Sequence, residues 1–124
     1  GNRLIKTYEF NFNDDSKFSR KVSFTSYPGK IGSTDDYYIT SNKLVIQETT
    51  NSVLNEKILE KITPKAYLNW IRTMTANRLS SNSKEWVDNF VKHNSGTYNN
   101  QYMILDLKQI DFDKKTLKEN TLLI

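Results

Sequence analysis

The stretch DYYITSNKLVIQETT, residues 36–50, decides the fold that we predict for this chain. Residues 36–40 and 44–50 have the apolar patterning of strands, and Ser41-Asn42-Lys43 joins them tightly. Asn42 tolerates the left-handed backbone conformation that so short a connection can need. We therefore predict an antiparallel hairpin at these positions, as one part of a larger sheet.

Two further strands precede the hairpin, over residues 3–12 and 20–27, because polar and apolar side chains alternate in both. The aromatic side chains Tyr8, Phe10 and Phe12 are expected on the buried face of the first strand. In the second strand Val22, Phe24 and Ser26 share one face, and Ser23, Thr25 and Tyr27 share the other. Residues 13–16, Asn-Asp-Asp-Ser, predict the turn between the two strands. Pro28-Gly29 is a strong turn signal and ends the second strand.

After residue 50 the apolar spacing changes to three and four, which is typical of helices. The main helix is expected to begin with Thr63 as its N-cap and Pro64 at its first position. A third helix begins near Asn82, where Glu85 has the spacing of a capping box, and ends near residue 93. A short first helix is expected to bury Val53, Leu54, Ile58 and Leu59. The main helix is expected to bury Tyr67, Leu68, Ile71, Met74 and Leu79.

The last part of the chain returns to strands. Residues 101–107 are rich in apolar side chains and predict a buried strand, and residues 116–124 resemble a strand cut in its middle. The order is four strands, three helices and a strand, so we predict an α+β fold with helices layered on an antiparallel sheet. We expect residues 1–124 to form a single partial domain of a larger protein.

Composition excludes several kinds of site. The chain has no cysteine, so a disulfide, a thiolate metal site and a cysteine nucleophile are absent from these residues. No 18-residue apolar run predicts a transmembrane segment. The net charge of +4 is spread along the chain without a basic stripe, so we do not expect nucleic acid as a partner. No motif predicts a metal or another cofactor.

The block NSGTYNN, residues 94–100, is the first candidate site. One interpretation is a helix end, with Gly96 in the left-handed conformation and Asn94 closing the helix. That interpretation leaves Thr97, Asn99 and Asn100 unexplained at the mouth of an apolar strand. Side-chain amides at such a position can donate to a developing oxyanion, so turn and site remain open.

Three other groups are weaker candidates. Asp35 and Asp36 are adjacent on a predicted strand, so their carboxylates should point to opposite faces and form no close acid/base pair. They suit a turn, or one of them orients an amine or an arginine. The triplet Glu48-Thr49-Thr50 ends a strand, where hydroxyl groups are usually structural. The single histidine, His93, lies beside a helix end and is weak evidence for catalysis.

Several blocks, in order, resemble the phospholipase B-like family, also called the lamina-ancestor group. They are Ser26-Tyr27-Pro28-Gly29, Ser33, Asp35-Asp36-Tyr37-Tyr38, Glu48-Thr49-Thr50, Trp70-Ile71-Arg72, Ala76-Asn77-Arg78-Leu79, Trp86 and Asn94-Ser95-Gly96-Thr97-Tyr98-Asn99-Asn100-Gln101. The resemblance covers most of the chain. It implies an αββα N-terminal-nucleophile hydrolase fold and a lysosomal or secreted protein made as a precursor. A cysteine at the mature N-terminus, outside this segment, would attack an acyl carbon with its own α-amine as base.

The resemblance also implies roles for individual residues. Catalytic support is expected from Thr50, from Asp36, and from Asn94, Asn99 and Asn100 as oxyanion or substrate contacts. Substrate binding is expected from Asp35, Thr97 and Tyr98, and structural support from Arg72 and Arg78. Two positions depart from the family, with Tyr102 in place of tryptophan and Ser41-Asn42-Lys43 in place of a glycine-containing turn.

The expected partners are the remaining segments of the parent hydrolase and a phospholipid or other acyl substrate. Because the nucleophile lies outside the segment, residues 1–124 alone should be inactive. The alternative is a non-catalytic lysosomal lipid- or protein-binding module of the same fold, which a parent without an upstream cysteine would favour. A nucleic-acid binder is a more remote rival, drawn from the pI and the aromatic content.

Overall fold

The computed structural model describes residues 2–11, 18–33 and 35–124. In these ranges an antiparallel sheet of six strands has the order β1-β2-β3-β4-β5-β8. Its strands are β1 Leu4–Glu9, β2 Lys21–Ser26, β3 Tyr37–Thr40, β4 Leu44–Thr49, β5 Gln101–Asp106 and β8 Leu122–Leu123. Two helices, α1 Asn69–Leu79 and α2 Ser83–Phe90, follow β4, and a small ribbon pairs β6 Ile110–Asp111 with β7 Thr116–Leu117. The α+β class predicted from the sequence is confirmed.

The predicted hairpin is confirmed as β3 and β4, with Tyr38 opposite Ile46. The left-handed residue of its turn is Lys43, with φ 62°, so the assignment of that conformation to Asn42 is wrong. The Lys43 amide donates to the Thr40 carbonyl at 3.0 Å and closes the turn. The Asn42 side chain instead donates to the Ser80 carbonyl at 3.0 Å, which ties the hairpin to the end of α1.

Alternation along the strands separates a buried face from an outer face. On β2 the predicted alternation is confirmed, since Val22, Phe24 and Ser26 share one face and are all buried. Phe10 lies just past β1 and is half exposed, while Phe12 and the predicted turn at 13–16 lie outside the described residues. The buried hydrophobic residues are Val22, Phe24, Tyr38, Leu44, Ile46, Ala76, Trp86, Tyr102 and Ile104. The helices cover this face of the sheet.

The predicted start of the main helix at Thr63-Pro64 is wrong, because α1 begins at Asn69. The Tyr67 amide donates to the His93 carbonyl at 3.0 Å in a bridge between the two segments, so the backbone there cannot be helical. Tyr67, Leu68 and Leu79 are exposed, contrary to the expected buried face. The buried side of α1 is mainly polar and comprises Arg72, Thr73, Ala76, Asn77 and Arg78.

The short first helix is a 3-10 helix, Glu56–Lys61, with no buried residue. Val53 and Leu54 precede it and are exposed, so the predicted packed face is wrong there. The predicted strand over residues 101–107 is confirmed as β5, one residue shorter. Within the expected final strand, Leu123 pairs with Ile104 at the sheet edge. No helix in the described parts of the chain is long and apolar enough to cross a membrane.

The predicted cap of the third helix is confirmed, since the Asn82 side chain accepts from the Glu85 amide at 2.9 Å. The Glu85 carboxylate accepts from the Ser81 amide at 2.9 Å. The helix ends at Phe90, earlier than expected. Trp86 is fully buried, and its indole N–H donates to the Asn77 side-chain oxygen at 2.8 Å, which joins α2 to α1.

We expect Trp86→Ala to lower the free energy of unfolding by about 3–5 kcal/mol, because it empties a fully buried site and leaves the Asn77 amide oxygen unpaired. Trp70→Ala is the matched control at a side chain that is 44% exposed, and its cost should be nearer 1 kcal/mol. Urea unfolding of both variants measures the difference. Equal losses would contradict this account of the core.

Candidate functional site

The starts of β3 and β5 and the end of β4 meet at one end of the sheet, since these neighbouring strands are antiparallel. Here Glu48 lies opposite Tyr102, and the Glu48 amide donates to the Asp36 carbonyl at 3.0 Å. Glu48 has the same strand parity as the buried Leu44 and Ile46. The register therefore directs the Glu48 carboxyl and the Tyr102 phenol toward the buried face.

Asp36 lies directly before β3. Its backbone φ is 48°, and 8% of the residue's surface is exposed. Positive φ is uncommon outside glycine, although aspartate adopts it more readily than most residues. Asp36 is among the residues that line a cavity of about 290 Å³, namely Ser33, Asp36, Tyr38, Leu68, Asn69, Trp70, Thr97 and Tyr98. The fold thus places one carboxyl group in a cavity whose lining is otherwise uncharged.

The Glu48 carboxyl is an acidic neighbour of the Asp36 carboxyl. Burial first, and then the Glu48 contact, raise the pKa of Asp36 to about 7. Both causes disfavour a second negative charge in this position. The Glu48 Oε1 atom is buried and finds no hydrogen-bond partner within the described residues.

Two phenols stand beside this carboxyl pair. The Tyr102 hydroxyl accepts from the Asn69 side-chain amide at 3.0 Å and lies 3.3 Å from the Thr73 hydroxyl. The Tyr38 hydroxyl accepts from the Ser33 amide at 3.0 Å. Burial raises the pKa of both phenols, so they remain neutral over the physiological range. They can donate or accept hydrogen bonds here without adding charge.

The asparagine-rich loop, residues 94–100, approaches the same cavity through Thr97 and Tyr98. The left-handed conformation predicted for Gly96 is confirmed, with φ 75°. The Asn94 side-chain oxygen accepts from the Gly96 amide at 2.8 Å. Because α2 has already ended at Phe90, Asn94 closes a turn of the loop, and the expectation that it closes the helix is wrong.

Two of the predicted site residues, Thr50 and Asn100, lie directly after the end of β4 and directly before the start of β5. Thr50 is exposed directly after β4. The Asn51 amide donates to the Asn100 side-chain oxygen at 3.2 Å, which joins the two segments. Asn99 is exposed. Thr50 and Asn100 thus share the sheet end with Asp36, but they are not among the residues that line its cavity.

Asp35 has a different environment from Asp36. Its carboxylate pairs with the Arg3 guanidinium at 3.2 Å and accepts from the Tyr27 hydroxyl at 3.4 Å. The two aspartates precede β3, so the prediction that both lie on a strand is wrong. The expectation that they form no acid/base pair with each other still fits, because Asp36 turns to Glu48 instead.

The two arginines of α1 lie away from the cavity. The Arg72 Nη1 donates to the Phe90 carbonyl at 2.8 Å. The Arg78 guanidinium donates to the carbonyls of Tyr8 at 3.1 Å and of Ser19 at 3.0 Å, and also to that of Arg20. Both guanidinium groups also lie 4.4 Å from a ring centroid, of Phe90 and of Phe10 respectively. Each arginine therefore links α1 to neighbouring backbone segments through hydrogen bonds.

Comparison with known proteins identifies the family. The family model described as Phospholipase B matches residues 2–124. The chain belongs to the phospholipase B family. It is 45% identical over 122 residues to Phospholipase B-like 1 of Bos taurus, with 98% of the chain aligned. It is 43% identical over 122 residues, again 98% of the chain, to Phospholipase B of Crotalus adamanteus. With Phospholipase B-like protein G of Dictyostelium discoideum it is 50% identical over 107 residues, 86% of the chain.

The chain spans about a fifth of the length of these phospholipase B relatives, 22%, 22% and 18% respectively. In the described residues there is no group of three or more histidine, cysteine or acidic side chains that could hold a metal ion. His93 is exposed, with its ring edge-on to Tyr67 at 5.3 Å, away from the carboxyl pair.

Sequence reasoning missed a role for Glu48 and for the polar partners Asn69, Thr73 and Tyr102. For Glu48 a signal existed, because alternation through β4 places it on the face of Leu44 and Ile46. An acidic side chain on the buried face of a strand needs a partner. Asn69 and Thr73 gave no comparable signal, since the predicted start of their helix was five residues too early. Tyr102 was noted only as a departure from the family pattern.

We expect Asp36→Asn to remove a pH dependence from the stability of the fold. The folded-state pKa of Asp36 is raised from 3.8 to about 7, so its contribution to stability is complete below pH 4 and is lost as the pH rises through 7. Between pH 4 and 8, the urea concentration at the midpoint of unfolding should fall less steeply with rising pH for Asp36→Asn than for the parent protein. Glu60→Gln, at an exposed glutamate, is the matched control and should follow the parent. An unchanged slope in Asp36→Asn would contradict the raised pKa.

Proposed function

We propose that this chain is part of a phospholipase B-like acyl hydrolase with an αββα N-terminal-nucleophile fold. The observation that carries the proposal is the buried Asp36 carboxyl, which faces a cavity shared with Thr97 and Tyr98 of the asparagine-rich loop. Membership of the phospholipase B family supports the reaction class. The substrate would be a phospholipid or a related acyl ester or amide, in a lysosomal or secreted protein.

The outer face of the sheet supports the layered fold. It exposes Ile5 at 81%, Ile39 at 41% and Leu122 at 50% of their surface. Apolar side chains along one face of an antiparallel sheet favour packing against another layer. Remaining segments of the parent chain would supply that layer and the N-terminal cysteine.

In the proposed mechanism the cysteine thiolate attacks the acyl carbon, the alcohol leaves with a proton, and water then hydrolyses the thioester. The cysteine's α-amine would take and return the proton. Asp36 is the better candidate to orient this amine, because Asp35 is already paired with Arg3 and Tyr27. Thr50, which lies at the same end of the sheet, would contact the groups that surround the nucleophilic cysteine.

The asparagine side chains would supply hydrogen bonds to the oxyanion. The side-chain oxygens of Asn94 and Asn100 already accept from backbone amides, of Gly96 and Asn51 respectively. This fixes the orientation of each side chain and leaves its NH₂ group able to donate. Preorganised donors of this kind stabilise the charge that develops in the transition state. Asn99, Thr97 and Tyr98 would contact the substrate.

In the full-length protein, Asp36→Asn should lower kcat for fatty acyl ester hydrolysis by at least about 10²-fold, because the amine loses the carboxylate that orients it. Asp35→Asn is the matched control and should retain kcat within about threefold. Fatty acid release from phospholipid vesicles measures both. Asp36→Asn should still fold, since it removes a buried charge. Equal rates in the two variants would sink the assignment of Asp36.

For the oxyanion donors we expect Asn94→Ala or Asn100→Ala to lower kcat by about 10²–10³-fold with little change in KM. Asn99→Ala, which removes a side chain proposed to contact the substrate and not the oxyanion, should change kcat less than either. Steady-state kinetics of the full-length variants on one acyl ester distinguish these effects. A loss confined to KM in all three variants would instead indicate substrate contacts. A full-length protein that binds vesicles but releases no fatty acid would favour the non-catalytic lipid-binding alternative.

A further inference from the structure

An apolar groove of about 510 Å³ runs along α1. Residues 70, 74 and 78 form one row of side chains along it, and residues 71, 75 and 79 form the next. The N-terminal segments supply the other wall through Phe10 and Phe18. The volume lies within the range typical of sites for small organic ligands, so the groove is large enough to bind one.

Trp70 joins this groove to the candidate site, because its side chain lines both the groove and the cavity that contains Asp36. Asn69, directly before it, lines the cavity, and Ile71, directly after it, lines the groove. The groove therefore begins at the candidate site and extends along α1 to Leu79. A ligand whose reacting group lies in the cavity meets the groove directly beyond it.

The lining of the groove suits a hydrocarbon chain better than a polypeptide. Trp70 and Leu79 expose 44% and 42% of their surface, and the Arg78 guanidinium already donates to three backbone carbonyls. The backbone groups of α1 are paired within the helix. A polypeptide in the groove would bury N–H and C=O groups that lack partners, which is costly, whereas a hydrocarbon chain has no such groups.

The proposed layering of the parent protein leaves the groove open. The second layer would pack on the outer face of the sheet, where Ile5 and Ile39 are exposed. The groove lies along α1, which covers the opposite face. A ligand can therefore reach the groove while that layer is in place.

The length of the groove corresponds to an acyl chain of medium length. From Trp70 to Leu79 the helix rises by about 13 Å, at about 1.5 Å per residue. An extended hydrocarbon chain advances by about 1.25 Å per carbon, since its C–C bonds of about 1.5 Å meet at tetrahedral angles. The groove therefore accommodates about eleven extended carbons.

We propose that this groove binds the fatty acyl chain of the substrate while the carbonyl group of the substrate lies in the cavity, with Trp70 at the junction. This inference rests on the proposed function, and it defines the substrate class as esters or amides of acyl chains that fill the groove. Each CH₂ group that enters the groove should strengthen binding by about fourfold. Carbons beyond about the eleventh stay in water and should add little.

The first test measures kcat/KM of the full-length protein for esters of one alcohol with acyl chains of four to eighteen carbons, each below its aggregation concentration. The values should rise with chain length and level off near about eleven carbons. Thr75→Trp, at an exposed position about halfway along the groove, should move this point to about six carbons. It should lower the ratio of kcat/KM for the twelve-carbon ester to that for the four-carbon ester by at least about tenfold.

Lys84→Trp is the matched control, because it adds the same side chain at an exposed position on α2 outside the groove. Its ratio should equal that of the parent protein. An unchanged ratio in Thr75→Trp would overturn the proposal.

The second test needs no turnover and no variant within the groove wall beyond Trp70. Bromine quenches tryptophan fluorescence on contact, so the probe is dodecanol with one bromine, either near the hydroxyl group or at the far end of the chain. Because Trp70 lies at the junction, the first probe should quench the full-length protein more strongly than the second. Trp70→Phe, at an exposed side chain, should remove this difference.

Equal quenching of the parent and Trp70→Phe by both probes would overturn the proposal, and that result is also expected if another segment of the parent fills the groove. A protein that shows the expected quenching but releases no fatty acid would contradict the proposed function and support the groove. A protein that hydrolyses esters of all chain lengths alike would contradict the groove and leave the proposed function standing.

Discussion

The register of β4 between β3 and β5 is the constraint on which the candidate site depends. Alternation places Leu44, Ile46 and Glu48 on one face, and a slip of one residue would turn all three outward. The same register sets Glu48 opposite Tyr102 and beside the Asp36 backbone. The turn at Lys43 fixes it at the other end of the hairpin. Strand pairing thus places Glu48, and the left-handed Asp36 directly before β3 brings the second carboxyl group to the same end of the sheet.

The mainly polar inner side of α1 explains how the sheet tolerates acidic groups beneath a helix. Asn77 accepts from Trp86 and Thr73 approaches Tyr102, so much of the contact between layers consists of hydrogen bonds. Arg78 adds hydrogen bonds to three backbone carbonyls of the N-terminal segments. Directional contacts of this kind fix the position of a helix more narrowly than apolar packing alone. The cavity between α1, the asparagine-rich loop and the start of β3 therefore has defined walls.

The sequence predicts the four central strands and the helix at Asn82 because their signals are local: alternation, turn residues and a cap. It does not predict where α1 begins, because the Tyr67 amide pairs with His93, 26 positions away in sequence. It identifies Asp36 and the asparagine-rich loop as candidates but not their shared cavity, which depends on that same long-range pairing. It also misses the Asp36–Glu48 pair, because the left-handed Asp36 departs from strand geometry. Local patterns thus predict the sheet, and tertiary contacts build the site.

The most direct test of the central claim is a crystal structure of the full-length protein with a non-hydrolysable acyl ester analogue bound. We predict that the analogue's carbonyl lies at the mouth of the cavity lined by Asp36, Asn69 and Thr97, with a reactive cysteine beside it and an asparagine NH₂ within hydrogen-bonding distance of its oxygen. An analogue whose carbonyl lies elsewhere, for example in the apolar groove lined by Trp70, Met74 and Leu79, with this cavity filled by another segment, would contradict the account.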